Sequence, residues 1–277
     1  MATLLPGTSN ARDLGGLPLS GGGTVREGVL LRSDALTGLS DGGLALLEGV
    51  GTVIDLRTPA EREGAPDRLP EGHAVSVLER PLLEGAIAQL APQGAALKEQ
   101  MGEDGPSPEL LEALRARIPA LGDLYVTMLE HGAETFADCA RAVAEPADQG
   151  RAGVLIHCTA GKDRTGIAVA LLLEAAGVER EAVVADYTRS GDELAGPWAE
   201  RMLEGVRAAG IPVLPEIEQL AVTTPAAAIE AALAEVDARG GAAAYLRSGG
   251  LSEQELERLR ERLREEADGA GGAGAVS

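Results

Sequence analysis

Residues 153–176 constrain this chain more than any other stretch. Gly153-Val154-Leu155-Ile156 is short and wholly apolar, as a strand buried on both faces must be. The polar run His157-Cys158-Thr159-Ala160-Gly161-Lys162-Asp163-Arg164-Thr165-Gly166 follows it, and Thr165 to Ala176 is then apolar on nearly every side. That pattern suits an interior helix beside a sheet. A strand, a tight polar loop and a buried helix in succession predict an α/β domain with the loop at a strand's carboxyl end.

Cys158 and Arg164 are separated by five residues within that loop. A loop of this length can curl so that successive N–H groups point inward, forming a concave anion site at the positive end of the helix dipole. Thr159, Ala160, Gly161, Lys162 and Thr165 are therefore the expected substrate-binding positions, and Gly161 permits backbone geometry that a side chain would obstruct. Arg164 can reach back over the cradle and hold two oxygens of a tetrahedral anion with its planar fork. The same field is expected to draw the Cys158 proton off well below the usual value of roughly 8.5. A thiolate beneath a phosphorus atom can attack in line and give a phosphocysteine that water hydrolyses. The Thr165 hydroxyl is expected to bond the sulfur, and His157 to order the loop through backbone contacts. The bland reading of Cys158 is an inert buried thiol.

Composition limits the ligand. At 277 residues and 45% apolar content the chain can bury a core, and with 2% aromatics that core is aliphatic. A formal charge of −20 opposes nucleic acid and stable association with an anionic membrane, leaving room for one small, preorganised cationic pocket. The two cysteines, Cys139 and Cys158, are too few for a disulfide framework. Cytoplasmic localisation is expected, with export lacking a cleaved signal left open.

Along the chain, Val29 to Leu31, Thr52 to Leu56 and Val75 to Leu78 read as strands. Ser40 is placed to cap a short helix carrying Leu44, Leu46 and Leu47, so the first two strands are expected to pair in parallel across a helical crossover. Residues 84–120 are rich in Ala, Gly and Pro and read as an inserted helical segment, with Ser107-Pro108-Glu109 opening a helix. Leu121 to Ala144 stays helical, Thr224-Pro225 opens a later helix, and Ser252 to Glu255 has capping-box spacing. The expected architecture is a parallel-leaning central sheet flanked by helices, with a helical second half, as one domain over 1–267 and a flexible tail at 268–277.

The loop H-C-T-A-G-K-D-R-T-G resembles that of the protein tyrosine phosphatase superfamily, in particular its bacterial and fungal tyrosine phosphatase-like branch. Asn10 to Gly16 (N-A-R-D-L-G-G), Leu31 to Asp34, Ile54 to Arg57, Ala185 to Tyr187 and Tyr245 to Arg247 also look like landmarks of that branch. The resemblance implies a phosphatase acting on phosphotyrosine, or on phosphoserine, phosphothreonine or phosphoinositide, without metal or organic cofactor. Its substrate would be a phosphorylated protein or a small phosphoester.

Classical members supply a proton from a W-P-D loop, and the single tryptophan here, Trp198, stands in Gly-Pro-Trp-Ala-Glu instead. The resemblance implies Asp163 as general acid and then base. That role needs the bound dianion to offset Lys162 and Arg164, and the alternative is that Asp163 fixes the loop. Glu84 is a second, auxiliary carboxylate candidate. Lys162 is one of only two lysines, and the resemblance to Cys-x-x-Gly-Lys-x-Arg loops suggests contact with an extra phosphate; the alternative is a general raising of local potential. Residues 84–120 are expected either to close over the pocket as a lid or to form a surface insertion. Cys139 is read as an ordinary buried thiol, its alternative being a resolving partner for Cys158. From other classes, a silent phosphate-binding module and rhodanese-like sulfur transfer remain as readings.

Overall fold

The computed structural model describes residues 4–70, 75–82, 107–145 and 150–266. Strands β1 (Arg12–Asp13), β2 (Thr24–Val25) and β3 (Leu30–Ser33) lead into helix α1 (Asp41–Leu46), followed by β4 (Val50–Asp55), α2 (Pro59–Gly64) and β5 (Ser76–Glu79). Helices α3 (Pro108–Arg115), α4 (Leu121–His131) and α5 (Ala133–Ala144) precede β6 (Gly153–His157). The second half holds α6 (Arg164–Ala176), α7 (Arg180–Glu193), α8 (Pro197–Ala208), α9 (Pro215–Val222), α10 (Ala226–Ala238), α11 (Ala242–Ser248) and α12 (Glu253–Leu263), closing on β7 (Arg264–Glu265).

The main sheet has the order β1-β3-β6-β4-β5, parallel except at β1. The expectation that β3 and β4 pair directly is corrected here: β6 inserts between them and pairs with both. All five residues of β6 are buried, so the centre of the sheet is the position where its apolar run loses least to solvent. Side chains alternate between two cores, with Leu30, Ile54, Val154 and Ile156 facing the helical half, and Leu31, Val53 and Leu155 facing a smaller cluster with Leu36, Leu39 and Leu47.

Local chemistry sets several element ends. Ser40 Oγ accepts from Gly43 N at 3.2 Å and caps α1. Ser252 and Glu255 form the capping box of α12. Thr224-Pro225 leads directly into α10 as expected: Pro225 takes the cap position, and the Thr224 hydroxyl ties back to α7 through Thr188 O at 2.8 Å and Gly191 N at 2.9 Å. The single helix expected over Leu121 to Ala144 breaks at Gly132. A Cβ there would meet Met128 O at 2.6 Å and Phe136 Cε2 at 2.7 Å, so the tight turn between α4 and α5 requires glycine. Strand β7 returns across the chain to pair with β2, which sequence patterning does not reveal.

Helix α6 occupies the centre of the helical half, and of its residues only Glu174 is not buried. Four of the five aromatic side chains, Tyr125, Phe136, Tyr187 and Tyr245, are buried in this half; the fifth is Trp198. No helix among the described residues is long and apolar enough to cross a membrane.

Candidate active site

The loop between β6 and α6 is shaped by what its carbonyls bond. Thr159 O accepts from Ala35 N at 3.1 Å, Ala160 O from Asn10 Nδ2 at 3.0 Å and Gly161 O from Arg32 Nη2 at 2.6 Å. Three successive carbonyls therefore face outward to the scaffold. Their peptide N–H groups face the loop's interior, and none between Thr159 and Asp163 donates to a protein acceptor among the described residues. Such a ring of convergent N–H groups at a helix start is an anion nest. Gly161 has φ +68°, and a Cβ on it would lie 2.3 Å from Ser33 O, which makes glycine obligatory at this turn.

The sequence landmarks converge behind this loop. Arg12 Nε bonds Asp186 Oδ1 at 2.7 Å, its Nη2 reaches Ser190 Oγ at 3.0 Å and its Nη1 bonds Asn10 Oδ1 at 2.5 Å. Arg32 joins the other oxygen of Asp186 while also holding Gly161 O. Asp34 accepts from Ser9 N at 3.0 Å and Asn10 N at 2.9 Å, which fixes the segment that presents the Asn10 amide to the loop. Burial pushes the Asp34 carboxyl up, partly offset by those two N–H bonds. Burial, with neighbouring Arg32, takes Arg12 down to about 10, and Asp186 is held below the usual carboxylate range because two guanidiniums outweigh its own burial. One buried carboxylate thus orders two arginines and, through them, the floor of the loop.

Cys158 and Arg164 are both buried and line one cavity of about 750 Å³, together with Thr159, Ala160, Lys162 and Asp163. Arg164 is held by Glu61, which sequence reading misses: Nη1 bonds Oε2 and Nη2 bonds Oε1, each at 2.7 Å. Thr159 Oγ1 also donates to Glu61 Oε1 at 2.7 Å. Because Glu61 grips the two terminal nitrogens, the Nε side of the fork is left for a ligand. Burial alone would raise the Glu61 carboxyl, yet the Arg164 pair and the Thr58 N–H outweigh it and bring it to about 2. Conversely, Arg164 is driven up despite its burial, by Glu61 first and then by the Cys158 sulfur. Glu61 is also the third residue of α2, where it closes a capping box with Thr58. The Thr58-x-x-Glu61 spacing is the signal that marks it in the sequence.

His157 does order the loop's entry. Its Nδ1 lies 3.3 Å from Cys158 O and its Nε2 3.2 Å from Asp67 Oδ2. Asp55, Asp67 and His157 lie close enough to share a cation, and Arg57 already fills that role, bonding Asp55 Oδ2 at 2.8 Å and Asp67 Oδ2 at 2.6 Å. Asp67 is held below the usual carboxylate range by His157 and Arg57 against the opposing effect of its burial. The same Arg57 reaches Ala65 O at 2.7 Å beyond the end of α2, so the I-D-L-R landmark anchors the helix that carries Glu61.

The Thr165 hydroxyl is buried and makes no hydrogen bond, so the expected bond to the sulfur is not formed in this structure. Lys162 is buried, and its ammonium bonds Leu220 O at 2.8 Å, Thr223 O at 3.2 Å and Asp163 Oδ1 at 3.1 Å. It therefore closes the C-terminal end of α9. Asp163 Oδ1 also accepts from Tyr125 Oη at 2.6 Å. Cys139 is wholly buried in α5, and burial, reinforced by Asp138, pushes its thiol to about 12, which matches the ordinary buried reading. Glu84 lies outside the described residues, as does most of the 84–120 segment expected to form a lid. Among the described residues, the cavity is also lined by Trp198, Met202 and Val206 of α8, Ile211 of the following connection and Leu220 of α9.

A buried cysteine and arginine on one anion nest, set between a parallel strand and a helix, define the cysteine-dependent phosphatase class of site. The chain belongs to the tyrosine phosphatase family, which matches residues 3–265. It is 38% identical over 197 residues to the triple specificity protein phosphatase PtpB of Mycobacterium tuberculosis, covering 69% of each chain. A Cupriavidus necator protein provisionally assigned as a tyrosine-protein phosphatase is 34% identical over 242 residues, 84% of this chain and 78% of that one. A tyrosine-protein phosphatase of Nostoc commune is 33% identical over 218 residues, 78% of this chain and 66% of the other.

Proposed function

We propose that this chain hydrolyses phosphotyrosine by a two-step covalent mechanism in which Cys158 is the nucleophile, Arg164 the clamp and Asp163 the proton donor. The observation that carries the proposal is the outward bonding of three successive loop carbonyls beside Cys158, which leaves the N–H groups of the same peptide units on the other side, free to receive an anion. The phosphate sits there, held by the N–H groups of Thr159 to Thr165 and by the free side of the Arg164 fork. The Cys158 thiolate attacks phosphorus in line, an S–P bond forms, and the P–O bond to the leaving group breaks. Asp163 gives its proton to the departing oxygen. Water then attacks the phosphorus, Asp163 takes the water's proton, the S–P bond breaks and inorganic phosphate leaves.

The cavity exceeds what one phosphate needs, and its apolar wall from Trp198, Met202 and Val206 suits an aromatic ring, which favours phosphotyrosine. The mycobacterial relative is a triple specificity protein phosphatase, which supports a substrate range wider than phosphotyrosine, with phosphoserine, phosphothreonine and phosphoinositide as the further candidates. The site works within a single domain over 1–267, since one continuous core joins the sheet to the helical half. Two free thiols suit a reducing cytoplasm, and the acidic surface suits phosphoprotein or small phosphoester partners over nucleic acid or membrane. Turnover of para-nitrophenyl phosphate is expected to vanish in Cys158→Ser; wild-type turnover in that variant would refute the assignment.

A further inference from the structure

We propose that Tyr125, braced by Tyr187, is a positioning residue that fixes which oxygen of Asp163 carries the transferable proton. The inference rests on the reading of Asp163 as the acid and deepens it.

Asp163 Oδ1 accepts two hydrogen bonds, from Tyr125 Oη at 2.6 Å and from Lys162 Nζ at 3.1 Å. Two donors occupy the lone pairs of that oxygen. No group among the described residues donates to Oδ2, and Asp163 lines the cavity that holds Cys158 and Arg164. A proton arriving on this carboxyl therefore goes to Oδ2, the oxygen left for substrate. A general acid works only when its proton points at the leaving oxygen, and small errors of placement cost large factors in rate.

Tyr125 is suited to hold this geometry. It has one hydroxyl proton, and that proton is committed to Asp163. Its 2.7 Å contact with Tyr187 Oη is consequently made with the proton of Tyr187. The two rings meet edge to face with centroids 6.0 Å apart, and both are buried. Burial, with Asp163 second, pushes both hydroxyls up, so Tyr125 remains an O–H donor and does not compete for the proton. Gly166 makes room for this arrangement: a Cβ there would stand 3.0 Å from Tyr187 Cδ2. The chain has five aromatic residues and commits two of them to this one carboxylate.

The test compares Tyr125→Phe, Tyr187→Phe and Asp163→Asn with phenyl phosphate and para-nitrophenyl phosphate as poor and good leaving groups. Each variant is first checked for an unchanged melting temperature. Tyr125→Phe is expected to lower kcat for phenyl phosphate about tenfold while sparing para-nitrophenyl phosphate and leaving KM unchanged. Tyr187→Phe should show the same selectivity more weakly. In the Asp163→Asn background, Tyr125→Phe should have no further effect, because the group it positions no longer holds a proton. Equal loss on both substrates in Tyr125→Phe, alongside a leaving-group-selective loss in Asp163→Asn, would overturn the positioning role and leave the acid intact. Equal loss across both substrates in Asp163→Asn itself would overturn the acid assignment and this inference together.

Discussion

At the scale of single residues, the least expected contributor is Glu61. It accepts four hydrogen bonds, from Thr58 N, Thr159 Oγ1 and both terminal nitrogens of Arg164. Its carboxylate thus joins a helix cap to Arg164, the proposed clamp. The folded-state pKa of about 2 lies below the ordinary value of 4.5, so the bound form is the ionised one. The stabilisation is then present above pH 4.5 and disappears as pH falls through about 2. Glu61→Gln is expected to destabilise the protein by about 2 kcal/mol at pH 7. The difference from wild type should shrink between pH 4.5 and 2, read from denaturant unfolding at each pH. Because Arg164 loses its orienting carboxylate, kcat/KM should also fall. A constant stability gap across that window would show that the carboxylate is not coupled to Arg164.

At the scale of elements, Lys162 joins the phosphate loop to α9. The last carbonyls of a helix lack partners within it, and a cation there is favourable. Lys162 supplies this for α9 through Leu220 O and Thr223 O, so loop and helix are one hydrogen-bonded unit. Lys162→Met keeps most of the buried volume and removes the donors. Amide exchange over 215–224 is expected to accelerate about tenfold, with β4 and β6 unchanged. Unaltered exchange in α9 would mean that packing of α8 on α9 holds the helix without the lysine.

Elements also mark where sequence reading succeeds. The caps at Ser40 and Ser252 were legible because a cap is decided within four residues. Gly161, Cys158 and Arg164 were legible because one loop contains them all. The strand order was not, since β6 enters between β3 and β4 from a hundred residues further along the chain, and succession of strands does not encode that insertion. Glu61 stands 103 residues from its arginine and Tyr125 38 residues from its aspartate, so their roles exist only in the folded chain. The described wall draws on α8 and α9, which read in sequence as ordinary helices, so their place beside the loop exists only in the folded chain.

At the scale of the molecule, a chain of formal charge −20 concentrates arginine behind one loop and turns three successive carbonyls of that loop toward the scaffold. Burial makes this possible, because Arg12, Arg32, Lys162 and Arg164 each gain fixed partners in a region of weak screening. The whole arrangement has a chemical purpose only if the Cys158 sulfur takes the phosphoryl group during turnover. Acid quenching of the enzyme mid-reaction with para-nitrophenyl phosphate, followed by mass spectrometry of its peptides, tests this directly. The account predicts a phosphoryl group on Cys158, accumulating in Asp163→Asn where the second step lacks its base. Turnover with no phosphorylated Cys158 peptide at any quench time, or with the phosphoryl group on another residue, would contradict it.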